Sequence, residues 1–154
     1  MRVAIALCLS ILVGYSASIA VNSTASAATL VSFGINVSLT DRLGMIKSEW
    51  LGLGATYLPI YFGLMTCVLL LFRRLLRGQS WSSLTTYCVY GVVSGSGLVV
   101  FILIFEQVMG VEGALLASTR QLSGLVIQFG CAALTGLCFK ALLGRLGPSS
   151  SSLD

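Results

Sequence analysis

Charged residues are missing from four long stretches of this chain, which run from Val3 to Thr40, Trp50 to Phe72, Gly78 to Phe105 and Gln121 to Phe139. Each stretch contains an apolar segment long enough to cross a hydrocarbon core of about 30 Å, which takes roughly 20 helical residues. Because lipid offers the backbone no hydrogen-bond partner, such segments must be helical. The pattern predicts an all-α polytopic membrane protein whose four transmembrane helices lie at about 3–21, 52–72, 84–105 and 121–143.

The first connection between these spans contains a further helical pattern. Ser38 and Asp41 have the spacing of a capping box, in which each side chain bonds the backbone amide of the other residue. Apolar residues then recur at helical spacing from Leu39 to Trp50. This pattern predicts a short amphipathic helix in the first outer connection. It either rests at the membrane interface or packs over the outer end of the bundle.

Composition agrees with a membrane protein, since 56% of the residues are hydrophobic and 9% are charged. The 154 residues leave room for a single helical bundle at 1–146, followed by a mobile polar tail at 147–154. Residues 1–27 also resemble a cleavable signal peptide, with a small-residue site at Ala25 to Ala27. The apolar segment from Val3 to Val21 exceeds the usual core of such signals, which favours a retained anchor.

Lys and Arg predict the orientation, because they are retained on the cytoplasmic side. The predicted connections and ends on one side carry the cationic residues Arg2, Arg73, Arg74, Arg77, Lys140 and Arg145. Charges in the other connections are balanced or acidic. We therefore expect a multi-pass protein of the inner membrane with both termini in the cytoplasm. The net charge of +4 reflects this topology, and nucleic acid is not an expected partner.

Residues that carry chemistry are sparse. The chain has no histidine, and its five cysteines all lie in predicted spans without a CxxC pair. It also lacks the motifs of a phosphate loop, a serine hydrolase or a zinc protease. We therefore expect no enzymatic activity, catalytic residue, cofactor or metal.

Glycines in the third and fourth spans have a membrane explanation, because small residues let helix backbones approach closely. Gly91 and Gly95 form a GxxxG pattern in the third span, and Gly130 and Gly136 lie in the fourth. All four are predicted to serve helix packing. In the second span, Pro59 suits the first turn of a helix or, alternatively, a kink, since the preceding Leu51 to Gly54 resists regular helix.

Four polar residues are the candidate site. Glu106 and Arg120 are expected at similar depth near the outer ends of the third and fourth helices, where they would pair. Gln128 lies deeper in the fourth helix, and Tyr57 lies at the outer start of the second span. The four residues form either structural contacts between helices or a polar route through the bundle.

Several segments carry a resemblance. The sequences Val37 to Met45 and Leu51 to Pro59, and then Glu112 to Arg120 and Gly124 to Gln128, resemble a group of small uncharacterised inner-membrane proteins of proteobacteria. The resemblance covers roughly residues 37–140 and implies a four-span bacterial inner-membrane protein. It implies no activity and no catalytic residues.

Two functions fit these observations. The first is a structural or accessory subunit in the lipid bilayer that packs against other membrane subunits or forms a homo-oligomer. The second is a small transporter or channel component with a polar route near Glu106, Arg120 and Gln128. The scarcity of polar residues in the spans favours the first.

Overall fold

The structure describes residues 1–78, 81–110 and 116–146, and of Ala117 and Arg120 it describes the backbone alone. All regular secondary structure in these residues is helical. In this computed structural model the helices are α1 (Arg2–Ser32), α2 (Leu39–Gly54), α3 (Tyr57–Leu75), α4 (Ser83–Met109) and α5 (Leu122–Leu146), with a 3₁₀ turn at Ala117–Arg120. Four of them, α1, α3, α4 and α5, are long and apolar enough to cross a membrane. The all-α polytopic prediction is confirmed. The predicted tail at 147–154 lies outside the described residues.

The four long helices run alternately up and down. Ser18 of α1 contacts both Tyr57 at the start of α3 and Gln128 of α5. Gly14, one turn earlier in α1, lies against Tyr61 and Thr135, which come later in α3 and α5, so α1 is antiparallel to these two helices. Tyr90, near the start of α4, packs against Phe139 near the end of α5. One end of the bundle therefore carries α2, the end of α1 and the start of α5, and we call it the α2 end. The opposite end, where α3 finishes, is the Arg73 end.

Helix α1 is longer than the predicted span. At 31 residues it extends about 45 Å, well beyond a hydrocarbon core. The segment from Asn22 to Ser32, predicted as part of a connection, is helical. Hydroxyl groups along it bond carbonyls one turn back, as Thr24 does with Ala20 at 2.7 Å, so these polar side chains do not interrupt the helix. The helix ends before Gly34, whose φ of +80° favours glycine.

The capping box of α2 is confirmed. The Asp41 amide donates to Ser38 Oγ at 3.2 Å, and the Ser38 amide donates to Asp41 Oδ2 at 3.1 Å. The Ser38 hydroxyl also donates to Asp41 Oδ2, at 2.6 Å. This bond, together with the one from the Ser38 amide, holds the pKa of the Asp41 carboxyl below its ordinary value, because both favour the charged form. Helix α2 continues to Gly54, so the expectation that Leu51 to Gly54 resists helix is wrong.

Helix α3 begins at Tyr57, which places Pro59 in its first turn. Proline is tolerated there because the amide it lacks would have no partner within the helix. Helix α3 then runs without interruption to Leu75. This position confirms the first-turn interpretation of Pro59, and the kink is not needed.

Glycines allow α4 and α5 to approach closely. A Cβ atom at Gly136 would collide with the carbonyl oxygen of Tyr90 and would lie 2.5 Å from Ser94 Oγ. A Cβ at Gly95 would lie 2.7 Å from the ring of Phe129. These two positions therefore exclude any larger side chain unless a neighbour moves.

The other two predicted packing glycines differ from each other. Gly91 is buried on α4, and a Cβ there would make an ordinary van der Waals contact with Leu137 at 3.4 Å. Gly130 is exposed on α5, and no atom of the described residues lies within 4 Å of the place of its Cβ. Within the described part of the chain, the predicted packing contact is therefore not made at Gly130. Its face of α5 points away from α1 and α4.

Candidate functional site

Gln128 is the centre of a buried polar network that joins three helices. Its Oε1 accepts a hydrogen bond from Ser18 Oγ of α1 at 2.6 Å, and both residues are 0% exposed. The hydroxyl of Tyr57, on α3, lies 3.3 Å from the same Ser18 Oγ. Since Ser18 has one hydroxyl proton and gives it to Gln128, Tyr57 must donate to Ser18. Two of the four predicted site residues, Gln128 and Tyr57, are thus joined through Ser18.

The network continues toward the α2 end of the bundle. Gln128 Nε2 lies 3.4 Å from Ser118 Oγ in the 3₁₀ turn, and the Ser118 amide donates to Asn22 Oδ1 at 3.2 Å. Asn22 Nδ2 then donates to Glu49 Oε2 of α2 at 2.9 Å. A continuous series of contacts therefore connects the partly buried carboxylate of Glu49 to the buried hydroxyl of Tyr57.

A second buried hydrogen bond lies about one helical turn deeper. The hydroxyl groups of Tyr61 and Thr135 are 2.7 Å apart, and both residues are fully buried. This bond joins α3 to α5 directly across Gly14 of α1, where a Cβ would collide with Thr135 Oγ1 and lie 2.6 Å from the Tyr61 hydroxyl. Glycine at position 14 therefore leaves the space in which the two hydroxyl groups meet.

Aromatic rings accompany the network. The ring centroids of Tyr15 and Tyr57 lie 5.9 Å apart, and those of Tyr57 and Tyr61 lie 5.6 Å apart. Such separations are favourable for aromatic pairs. Tyr15 also donates to the Trp50 carbonyl at 2.9 Å, while the Trp50 indole donates to Ser16 Oγ at 3.2 Å. Trp50 of α2 is thereby tied to the side of α1. These contacts favour α2 as a cap on the bundle over a helix that merely rests at the interface.

Glu106 lies apart from the Gln128 network, near the end of α4. Its Oε1 lies 2.8 Å from Thr119 Oγ1, and Thr119 itself is 3% exposed. The single hydroxyl proton of Thr119 is shared between this carboxylate and the Leu116 carbonyl, which is also 2.8 Å away. Arg120 follows Thr119 in the same 3₁₀ turn. The structure describes its backbone, but its side chain lies outside the described part of the chain. The proposed pairing of Glu106 with Arg120 therefore stays a prediction. The bond to Thr119 fixes the end of α4 to the turn that precedes α5.

The network has the properties of a structural joint. Ser18, Gln128, Tyr61 and Thr135 are 0% exposed and Tyr57 is 1% exposed, so no solute reaches them in this conformation. Their donors and acceptors bond one another, which is the condition for placing polar groups where lipid surrounds the bundle. The arrangement can hold α1, α3 and α5 in one register.

Four residues of the network were not predicted from the sequence as site residues, namely Ser18, Asn22, Ser118 and Glu49. A usable signal was present on α1, where Ser10, Gly14, Ser18 and Asn22 recur every four residues. That spacing places small and polar residues on one face of a helix, and all four are buried. The signal for Glu49 was absent, because a charged residue on an amphipathic helix is ordinarily solvated.

Comparisons with protein-family models, curated proteins and solved structures find no match to this chain. The resemblance to small inner-membrane proteins therefore stays an expectation. The function is therefore inferred from the geometry of the helices and of the buried network.

Proposed function

We propose that this chain is an integral membrane protein with a structural or accessory role, which packs against other membrane proteins or further copies of itself. The observation that carries the proposal is the burial of the Ser18, Gln128 and Tyr57 network. A transport route needs polar atoms that a solute or water can reach, and these atoms are covered by protein. The polar residues of this network are thereby accounted for by the joining of helices.

The lipid-facing surface supports the same proposal. Large apolar side chains are exposed along all four long helices, among them Leu12, Leu71, Ile104 and Val126. The described connections are short, so most of the surface that can meet another protein belongs to α2 and to these apolar faces. Association between membrane proteins takes place through such faces, by packing and by contacts between helices.

For the location, we propose the inner membrane of a bacterium, with both termini in the cytoplasm. Six of the nine cationic residues belong to the Arg73 end, where the chain begins and where α5 finishes. The positive-inside rule assigns that end to the cytoplasm. Reporter fusions at residues 36 and 146 should report outside and inside, respectively. The reverse assignment at either residue would contradict this orientation.

A comparison of flux with stability tests the structural role. Gln128→Leu should lower the stability of the purified protein, while proteoliposomes that contain the wild type should show no more flux of ions or small solutes than empty liposomes. Flux in the wild type that Gln128→Leu abolishes at unchanged stability would instead establish the transporter. The matched control is Thr66→Val, which also removes a polar group from a span but breaks no hydrogen bond.

The size of the assembly tests the accessory role. Protein extracted in a mild detergent should elute with a stoichiometric membrane partner or as an oligomer. A monomer without a partner, both in mild detergent and after crosslinking in the intact membrane, would contradict this part of the proposal.

A further inference from the structure

A cavity of about 300 Å³ opens at the Arg73 end of the bundle, where three helices meet. Its cationic groups are Arg73 of α3, Arg77 in the turn that follows α3, and Lys140 of α5. Arg73 and Lys140 are each half-buried, and Tyr90, which is 4% exposed, also lines the cavity. Three cationic groups from α3, the turn after it and α5 thus face one open cavity at the end of the spans.

The described part of the chain provides no carboxylate for this cavity. Asp41 and Glu49 belong to α2, and Glu106 lies near the far end of α4. Half-buried cations at a membrane edge are unfavourable unless an anion or a hydrogen-bond acceptor accompanies them. The positive-inside rule requires cationic residues on the cytoplasmic side of the membrane, such as those in the connection after α3. It does not require that Lys140 of α5 face the same cavity as Arg73. The convergence calls for an anion that the described residues do not supply.

We propose that this cavity binds a phosphate group with net negative charge, carried by the headgroup of an anionic phospholipid or by a free phosphate. Basic pockets between transmembrane helices bind anionic headgroups in this way, and Arg offers paired donors that match phosphate oxygens. The remaining walls suit a lipid. Trp81 is partly exposed at the rim, as expected of an aromatic ring at a membrane interface, and Leu76 and Leu143 give the cavity an apolar side.

The test counts lipids that stay bound to the full-length protein. The protein is equilibrated in detergent with equal amounts of phosphatidylglycerol and phosphatidylcholine of the same acyl chains, and native mass spectrometry measures the ratio of the two adducts. The wild type should retain phosphatidylglycerol preferentially. In the double variant Arg73→Gln/Lys140→Gln, the ratio of phosphatidylglycerol to phosphatidylcholine adducts should fall about fivefold for each cation removed.

A matched control removes the same charge from the same end of the bundle. Arg2→Gln/Arg145→Gln changes two exposed residues that do not line the cavity, and it should keep the preference of the wild type. Arg73→Lys/Lys140→Arg retains both charges, so it should bind phosphatidylglycerol even where the Gln variant is poorly folded. Equal loss in both Gln double variants, or no preference in the wild type, would overturn the proposal.

Inorganic phosphate distinguishes the two sources of the group. Displacement of bound phosphatidylglycerol by millimolar phosphate would assign the site to the free anion. Retention of the lipid at that concentration would assign the site to the headgroup. A cavity that retained phosphatidylcholine as well as it retained phosphatidylglycerol would contradict both, because phosphatidylcholine carries no net charge.

Discussion

The bond between Ser18 and Gln128 gives the most direct test of the buried network. We consider the single variants Ser18→Ala and Gln128→Leu and the double variant. Gln128→Leu keeps a side chain of similar size but removes the acceptor of the 2.6 Å bond. It also removes the two weaker contacts of Nε2, with Ser118 Oγ and with the Ser18 carbonyl, each at 3.4 Å. Ser18→Ala removes the donor to Gln128 and also the acceptor that Tyr57 uses. Both single changes therefore leave buried polar atoms without partners.

The expected magnitudes follow from this geometry. Hydrogen bonds between membrane helices contribute about 0.6 kcal/mol on average and up to about 1.7 kcal/mol. The bond is short and both residues are fully buried, so we expect a coupling energy of about 1 to 1.5 kcal/mol. Ser18→Ala should cost roughly 1.5 to 2 kcal/mol because two partners lose their bond, and Gln128→Leu roughly 1.5 kcal/mol. The double variant should be more stable than the sum of the two losses predicts.

The assay is reversible unfolding in mixed dodecyl maltoside and SDS micelles, followed by far-UV circular dichroism. The four proteins form a double-mutant cycle, and the deviation from additivity is the coupling energy. A coupling below about 0.3 kcal/mol, which is the usual scatter for independent sites, would refute the view that this bond holds α1 to α5. It would also remove the main support for a structural role of Gln128.

Three further predictions follow from single positions. Gly136→Leu should lower the free energy of unfolding by about 1 to 3 kcal/mol, because it separates α5 from the Tyr90 backbone. The control Gly130→Leu should change it by less than about 0.5 kcal/mol. Equal effects in the same micelle titration would contradict the assigned packing. Thr135→Val should destabilise the protein by about 1 kcal/mol, because it removes the hydrogen bond to Tyr61. The identical change at Thr66, whose hydroxyl has no partner among the described residues, should be neutral or stabilising. A larger loss of stability at Thr66 than at Thr135 would contradict this prediction. The pKa of Asp41 is lowered in the folded state, so its contribution to α2 is fully present above the ordinary value of 3.8 and is lost as the pH falls below it. Protection factors of the α2 amides, referred to exchange of the unstructured chain at the same pH, should fall in that range, and Asp41→Asn should abolish the dependence.

The sequence alone determined the features that depend on neighbouring residues. Uncharged stretches identified the four spans, since every backbone group in lipid must be bonded within its own helix. The spacing of Ser38 and Asp41 identified the start of α2, and Pro59 marked the first turn of α3. Each of these features lies within one continuous segment of the chain, so no knowledge of the other helices is required.

Only the tertiary structure decided which side of each helix meets which neighbour. In a membrane both the lipid-facing and the protein-facing sides are apolar, so periodicity does not separate them as it does in water. Gly136 and Gly130 are therefore alike in sequence, yet one lies against α4 and the other faces outward. The sequence likewise did not show which helix the side chain of Gln128 contacts. That partner is 110 residues away in the chain, and only the packing of α1 against α5 brings the two together.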